Sequence, residues 1–153
     1  MRFMDRFNEF KTLPSGESFS IKVTDQEATA AAYEYLAENR EQVRERLQKS
    51  TGMKLQVEDP SIEFRNDEVF VSAKGGMGFL KAKASLTAEV QWDGKLNVVA
   101  RSVEVPFVSV SPQKLNSAVK RPLEQLMKKV EEYADIQSLK LTNGFAVLEA
   151  VRK

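Results

Sequence analysis

The chain has 153 residues, with 23 basic and 22 acidic side chains and neither cysteine nor histidine. The balanced charge gives no electrostatic reason to expect nucleic acid or an acidic partner. The missing thiols and imidazoles exclude disulfides, zinc sites built on Cys or His, and Ser-His or Cys-His catalytic pairs. The length predicts one domain with a hydrophobic core, and no apolar run approaches the roughly 18 residues of a membrane span.

The first thirteen residues, MRFMDRFNEFKTL, have the pattern of a short amphipathic helix that a Pro-Ser-Gly break separates from the rest. Phe3, Phe7 and Phe10 recur at helical spacing on one side, with charges of both signs on the other. The phenylalanines either contact a membrane interface or cover an open end of the core or a partner's surface. We therefore predict an amphipathic segment with its linker, 1–16, and a single α+β domain, 17–153.

The start of the chain is not a signal peptide as written, because Asp5 and Glu9 interrupt any apolar run. We expect a cytoplasmic or peripheral membrane protein if the chain begins here. A mature fragment cut after an anchor would instead be extracytoplasmic and membrane-tethered, and the absence of cysteine fits either compartment.

A capping box marks the first long helix, because Thr24 and Glu27 are spaced to cap each other's backbone amides. The apolar stripe predicts that this helix continues to about Ser50, with an interruption near Asn39, and that Gly52 ends it. A helix of about 26 residues would be roughly 39 Å long. Its glutamates alternate with arginines, which is typical of a solvated helix face rather than of a metal or acid–base site.

Three later stretches each contain two alternating apolar runs around a polar turn, which predicts β-hairpins. They span 61–73, 88–100 and 138–150, with turns at Asn66-Asp67, Asp93-Gly94 and Asn143-Gly144. The Gly-Gly-Met-Gly run at 75–78 lacks the context of a phosphate loop, and we expect a tight turn or bulge there.

The middle hairpin can be aligned by matching apolar faces, since a slip of one residue moves every side chain to the other face. A three-residue loop at 92–94 places apolar residues opposite one another. We predict strands 80–92 and 96–105, with the even-numbered residues from Leu80 to Val90 facing inward. The predicted pairs are Val90 with Leu96, Ala88 with Val98, and Leu86 with Ala100.

A second helix is predicted after Ser111-Pro112, which form an N-cap and first-turn pair. Pro122 lies inside it and should kink or divide the helix. The predicted order is therefore helix, four or five strands, helix and a final hairpin. This order indicates an α+β fold with two helices packed on a strongly curved, mostly antiparallel sheet, and the alternative is a cystatin-like or helix-grip fold.

The succession of segments also resembles a known family. FSIKVTDQEATAAAYEYL opens a capped helix, a long hairpin turns on WDGKL, VEVPFVSVSPQKLNSAVKRPLEQL carries a strand into a helix, and IQSLKLTNGFAVLEA closes the chain. This is similar to bacterial phospholipid-binding envelope proteins with a TULIP-like (tubular lipid-binding) fold, over about residues 19–151. The resemblance implies a curved sheet wrapped around a long helix, a seam that can hold a lipid, and association with a membrane.

Alanines are frequent on the predicted inner face of the long strand, and the first long helix is also rich in alanine. Either small residues meet so that helix and sheet approach closely, or the space is an apolar, concave ligand site. The candidate ligand-binding residues are Ala32, Leu36, Leu80, Ala82, Ala84, Leu86, Ala88, Val90, Val98 and Ala100.

The polar face of the same strands is basic, with five basic and two acidic residues between positions 74 and 102. Lys74, Lys81, Lys83 and Arg101 have no interleaved aromatic residues to stack bases, which argues against nucleic-acid binding. A solvated sheet face and a weak site for lipid headgroups are the two interpretations that remain.

We therefore expect non-catalytic binding of a lipid or other amphipathic ligand between helix and sheet, without a cofactor or metal and with peripheral membrane contact. The alternative is a structural or protein-interaction module with a fully packed core and no ligand. Neither the identity of the ligand nor the oligomeric state follows from the sequence.

Overall fold

The computed structural model describes residues 3–52, 54–77, 80–104 and 112–153. In these parts of the chain it shows an α+β fold with two antiparallel sheets. The elements are α1 (Phe3–Lys11), β1 (Ser18–Thr24), α2 (Asp25–Glu38), α3 (Arg40–Thr51), β2 (Gln56–Arg65), β3 (Glu68–Met77), β4 (Leu80–Trp92), β5 (Leu96–Glu104), α4 (Pro112–Glu131), β6 (Ala134–Thr142) and β7 (Phe145–Arg152).

The strands divide into a three-stranded sheet in the order β1-β7-β6 and a four-stranded meander, β2-β3-β4-β5. The α+β class and the antiparallel pairing are confirmed, whereas the prediction of a single sheet is wrong. The β2–β3 turn joins the two sheets, because the Asp67 amide donates to the Leu141 carbonyl at 3.1 Å and the Gly144 amide donates to the Phe64 carbonyl at 3.0 Å.

The three predicted hairpins are confirmed, but the register of the middle one is wrong by two residues. Trp92 lies in the strand and pairs with Leu96, so the three-residue loop is 93–95. A register shift between Thr87 and Ala88 displaces the pairs beyond it. The observed pairs are Val90 with Val98, Ala88 with Ala100, and Leu86 with Val103. Because the displacement is two residues, the predicted inward face is unchanged.

The glycine-rich run does not form the expected turn within the described residues. Gly75, Gly76 and Met77 continue β3 and pair with Ala82, Lys81 and Leu80. Residues 78 and 79 lie outside the described residues. The alternation of the sheet therefore continues through Gly75.

The capping box is confirmed: the Glu27 amide donates to the Thr24 hydroxyl at 3.2 Å, and the Thr24 amide donates to the Glu27 carboxylate at 3.2 Å. The predicted single long helix is instead two helices, because Asn39 (φ −123°, ψ 27°) leaves the helical conformation. Its side-chain amide bonds the Tyr35 carbonyl at 3.0 Å, a local interaction by which asparagine competes with helix continuation. Gly52 ends α3 in the predicted left-handed conformation, with φ 76°.

The last helix, α4, begins at Pro112 and is continuous through Pro122, so the expected division of the helix is wrong. Ser111, its predicted N-cap, lies outside the described residues. Strand β1 was not predicted, although SFSIKVT alternates as a strand should.

The hydrophobic core lies between the three-stranded sheet, α4 and one half of the four-stranded sheet. Its buried members include Ile21 and Leu148 from the small sheet, Val130 from α4, and Ala88 and Val98 from the large sheet. Met127 and Val130 are the buried members from α4 among the described residues. The other half of the large sheet contributes little to this cluster.

Helices cover both edges of the four-stranded sheet through side chains that bond the strand backbone. On the β2 edge, the Thr29 hydroxyl accepts from the Ile62 amide at 2.9 Å and donates to the Ile62 carbonyl at 3.3 Å. The Asp25 carboxylate accepts from the Phe64 amide at 2.8 Å on the same edge. On the β5 edge, Asn116 accepts from the Ala100 amide at 2.9 Å. These bonds satisfy backbone groups that an open edge would leave to another chain.

Thr29→Val should therefore lower the free energy of unfolding by about 1 kcal/mol, because valine keeps the shape but leaves both backbone groups of Ile62 without their partner. Urea denaturation followed by the fluorescence of Trp92 measures the change. Thr87→Val is the matched control, since its hydroxyl bonds none of the described residues. Equal stability of the two variants would contradict the edge-covering role of Thr29.

Candidate ligand-binding site

The inner face of the four-stranded sheet is divided into a covered half and an open half. In the covered half, Ala88, Val90, Val98 and Ala100 are buried, and Ala88 has no exposed surface (0 %). On β2, β3 and β4 of the open half, six small or apolar residues are each half-buried and lie outside the core cluster among the described residues. We call this set the open stripe: Val57, Ala73, Gly75, Ala82, Ala84 and Leu86.

The strand register places the open stripe on one surface. Gly75 pairs with Val57 on one side and with Ala82 on the other, and Ala73 pairs with Ala84. Directly opposed residues of an antiparallel sheet lie on the same face. The open stripe is therefore a continuous apolar strip across β2, β3 and β4.

Gly75 widens this strip. A Cβ atom built at Gly75 would meet the Ala84 Cβ at 3.7 Å and the Gln56 carbonyl oxygen at 3.9 Å, both ordinary van der Waals distances. Its φ is not in the left-handed region, so neither strain nor crowding requires a glycine here. The consequence of the missing side chain is additional space above the sheet.

The alanines of the stripe do not pack closely against the alanines of α2. Helix α2 packs mainly against β2 and to a lesser extent against β1. No residue of α2 is buried, and Ala30 and Ala31 are exposed. Close approach of an alanine-rich helix to the alanine-rich strand therefore does not explain the small residues of β4.

A cavity of about 60 Å³ opens between α2, α3 and the first residues of β2. Half of its lining residues are apolar, and the other half are two arginines, Gln56 and Glu58. The lining residues are Leu36, Arg40, Val43, Arg44, Leu55, Gln56, Val57 and Glu58. Because Val57 also belongs to the open stripe, the cavity and the stripe are adjacent.

The predicted ligand-binding residues thus fall into three groups. Ala82, Ala84 and Leu86 belong to the open stripe, Leu36 lines the adjacent cavity, and Ala32 is half-buried on α2. Ala88, Val90, Val98 and Ala100 are buried in the covered half, where no space for a ligand remains next to Ala88. The side chain of Leu80 lies outside the described residues, although its backbone pairs with Met77.

Sequence reasoning missed several residues of this site. Val43 lies on the apolar stripe of α3, but its place beside Leu55 depends on the break at Asn39. Leu55 is an isolated leucine between a helix and a strand, and Val57 precedes a bulge that resets the alternation of β2. No periodic pattern contains Leu55 or Val57, so the sequence carries no signal that they converge with Val43.

The N-terminal helix is part of the same packed unit. Phe10 is 3 % exposed, stacks on Phe19 with ring centroids 4.3 Å apart, and meets the edge of Tyr133 at 6.4 Å. Arg152 donates to the Lys11 carbonyl at 3.2 Å. Phe10 is therefore a core residue and not an exposed membrane contact. The side chains of Phe3 and Phe7 lie outside the described residues.

Polar chemistry within the described residues is sparse. No group of three or more His, Cys, Asp or Glu side chains there could hold a metal ion. Tyr33 donates to Asp59 at 3.2 Å, and desolvation together with the Asp59 carboxylate raises the pKa of the Tyr33 hydroxyl.

The described helices include none that is long and apolar enough to cross a membrane.

Comparison with models of known protein families and with curated proteins finds no match to this chain. A functional assignment therefore depends on the geometry of the open stripe and its surroundings.

Proposed function

We propose that this protein binds a lipid or another amphipathic ligand without catalysis, and that the apolar part of the ligand lies on the open stripe beside α2 and α3. In this proposal the ligand is held between the large sheet and the helices, as the resemblance to TULIP-like proteins implies. The ligand would cover the half of the apolar sheet face that the protein core leaves uncovered.

The observation that supports the proposal is the contrast between two halves of one sheet face. Ala84 and Ala88 are four residues apart on the same strand and point the same way, yet Ala88 is buried in the core and Ala84 is half-buried outside it. Burying apolar surface stabilises by about 25 cal/mol per Å². An apolar ligand on the stripe would gain this free energy, and ligand sites are typically apolar and concave.

The charges beside the stripe favour an amphipathic ligand over a purely apolar one. Arg40 and Arg44 line the cavity next to Val57. Arg44 forms an ion pair with Glu41 at 3.5 Å, whereas Arg40 has no ion pair among the described residues. Guanidinium groups bind carboxylates and phosphates in a bidentate manner. A ligand with an acyl chain and an anionic headgroup would use both the stripe and these arginines.

A structural or protein-interaction module without a ligand is the alternative outcome of the experiment. Native mass spectrometry of the purified chain, with titration of a fluorescent fatty acid, distinguishes the two. A retained lipid or saturable uptake supports the proposal. Absence of both would contradict it and favour the interaction module.

Ala84→Phe should remove most of the fatty-acid uptake and change the melting temperature little, because the ring would occupy the open stripe rather than packed core. Gln91→Phe is the matched control: it adds the same ring to the same strand at an exposed position on the outer face. Fluorescence titration of both variants measures the effect. Undiminished uptake by Ala84→Phe would show that the ligand does not lie on the stripe.

A further inference from the structure

The outer face of the same sheet carries a second concave feature, on the side opposite the open stripe. A groove of about 410 Å³ is lined by residues 72–74 of β3, 81–83 of β4 and Asp59. Successive side chains of a strand point to opposite faces. Lys74 and Lys83 alternate with the stripe alanines, and their side chains therefore lie on the outer face.

Three cations meet in this groove, where Asp59 is in the lining and Glu58 lies beside it as the partner of Lys81. Lys74 and Lys83 are directly opposed across β3 and β4. Like charges directly opposite in a sheet destabilise it. Lys81, two residues before Lys83, adds a third positive charge on the same face. A bound anion would relieve this repulsion.

The existing ion pairs leave this charge available to a ligand. Lys74 approaches Asp59 at 3.4 Å and Lys81 approaches Glu58 at 2.8 Å, and all four side chains are substantially exposed. Exposed ion pairs contribute little to stability and exchange readily. Lys83 has no ion pair among the described residues.

The floor of the groove is polar as well. Ser72 is buried although it lies on the outer face, two residues before Lys74, and it is the only buried polar residue of the described chain. Its hydroxyl is a hydrogen-bond donor at the base of a cationic groove. A donor beneath several ammonium groups suits the oxygens of a phosphoryl group.

We infer that this groove is a binding site for a phosphoryl anion, held by Lys74, Lys81 and Lys83. The three lysines lie on the face opposite the open stripe, although Ala73 and Ala82 of the stripe also line the groove. A free phosphate and the headgroup of an anionic phospholipid present the same chemistry, and the experiment separates these sources.

In one arm of the experiment, the full chain is titrated with inorganic phosphate while its backbone amide shifts are followed by NMR. In the other arm, the same shifts are followed with vesicles of phosphatidylcholine, with and without phosphatidylglycerol. Saturable shifts at 72–74 and 81–83 with phosphate would identify a soluble ligand. The same shifts only with phosphatidylglycerol vesicles would identify a headgroup. Absence of shifts in all arms would overturn the inference.

Lys83→Gln should weaken the binding about tenfold, because a charged hydrogen-bond donor is lost. Lys140→Gln is the control, since it removes an equal charge from an exposed position on β6. Asp59→Asn should tighten binding, because it removes the competing carboxylate and asparagine tolerates the positive φ of 50° at this position. Equal weakening by both lysine variants would show nonspecific attraction and overturn the site. Fatty-acid uptake should be unchanged in all three variants.

Discussion

Phe10→Ala should lower the free energy of unfolding by about 3–5 kcal/mol, the usual cost of truncating a buried phenylalanine. The ring is 3 % exposed and packs against Phe19 and Tyr133. The variant would leave a cavity where α1, β1 and the end of α4 meet. Urea denaturation followed by the fluorescence of Trp92 measures the change.

Phe70→Ala is the control for this experiment. Phe70 lies on the outer face of β3, half-buried, with the Arg65 guanidinium 4.7 Å from its ring centroid. Its truncation should cost about 1 kcal/mol, since it removes an exposed cation–π contact and no core packing. A Phe10 variant as stable as the control would contradict the core assignment.

The same variant tests the membrane hypothesis for the N-terminal helix. Liposome co-sedimentation of the intact chain, of Phe10→Ala and of a chain lacking residues 1–13 would be compared with the stabilities of all three. A core role predicts that the deletion lowers the melting temperature, with no binding that depends on Phe10. Loss of liposome binding at unchanged stability would instead restore Phe10 as a membrane contact.

Ala88→Phe should destabilise the protein by about 1–3 kcal/mol or more, because the ring enters a packed core. Ala88 has no exposed surface (0 %) and is flanked by Val69 on β3 and Ala100 on β5. The added atoms would displace the elements packed against β4, which include β6 of the small sheet. Thermal melts and urea titrations measure the loss.

Ala84→Phe is the informative partner of this variant, since it makes the same substitution on the same face of β4. If the open stripe is unoccupied by protein, this variant should melt near the parent protein. If the stripe is instead closed by packing, both variants should be destabilised to a similar extent. The difference between the two melting temperatures thus reports how much of the sheet face the core covers.

Local features were predictable from the sequence wherever the signal lay within a few residues. The Thr24–Glu27 capping box, the left-handed Gly52 and the turns at Gly94 and Gly144 each depend on neighbouring backbone groups, and the structure contains all of them. The strict alternation of β4 likewise determined which face is apolar, because the side-chain period of a strand is two.

Other features depend on contacts between distant parts of the chain. The partition into two sheets arises because β1, near the N-terminus, pairs with β7 at the other end. The register of the middle hairpin depends on the position of its loop, 93–95 rather than 92–94, which apolar matching cannot detect, since a displacement of two residues preserves the faces. The environment of Phe10 also depends on distant parts of the chain. An apolar helix face shows that something covers it, but not whether the covering surface is the protein core or a membrane.

The candidate site shows this division most clearly. The sequence by itself determined that Ala82, Ala84 and Ala88 share one face of one strand. Only the tertiary structure decided that Ala88 is buried while Ala84 is half-open, because α2 packs along the edge of β2 and the core ends near Val71. Burial depends on what other elements lie above a surface, and alternation along one strand carries no information about them.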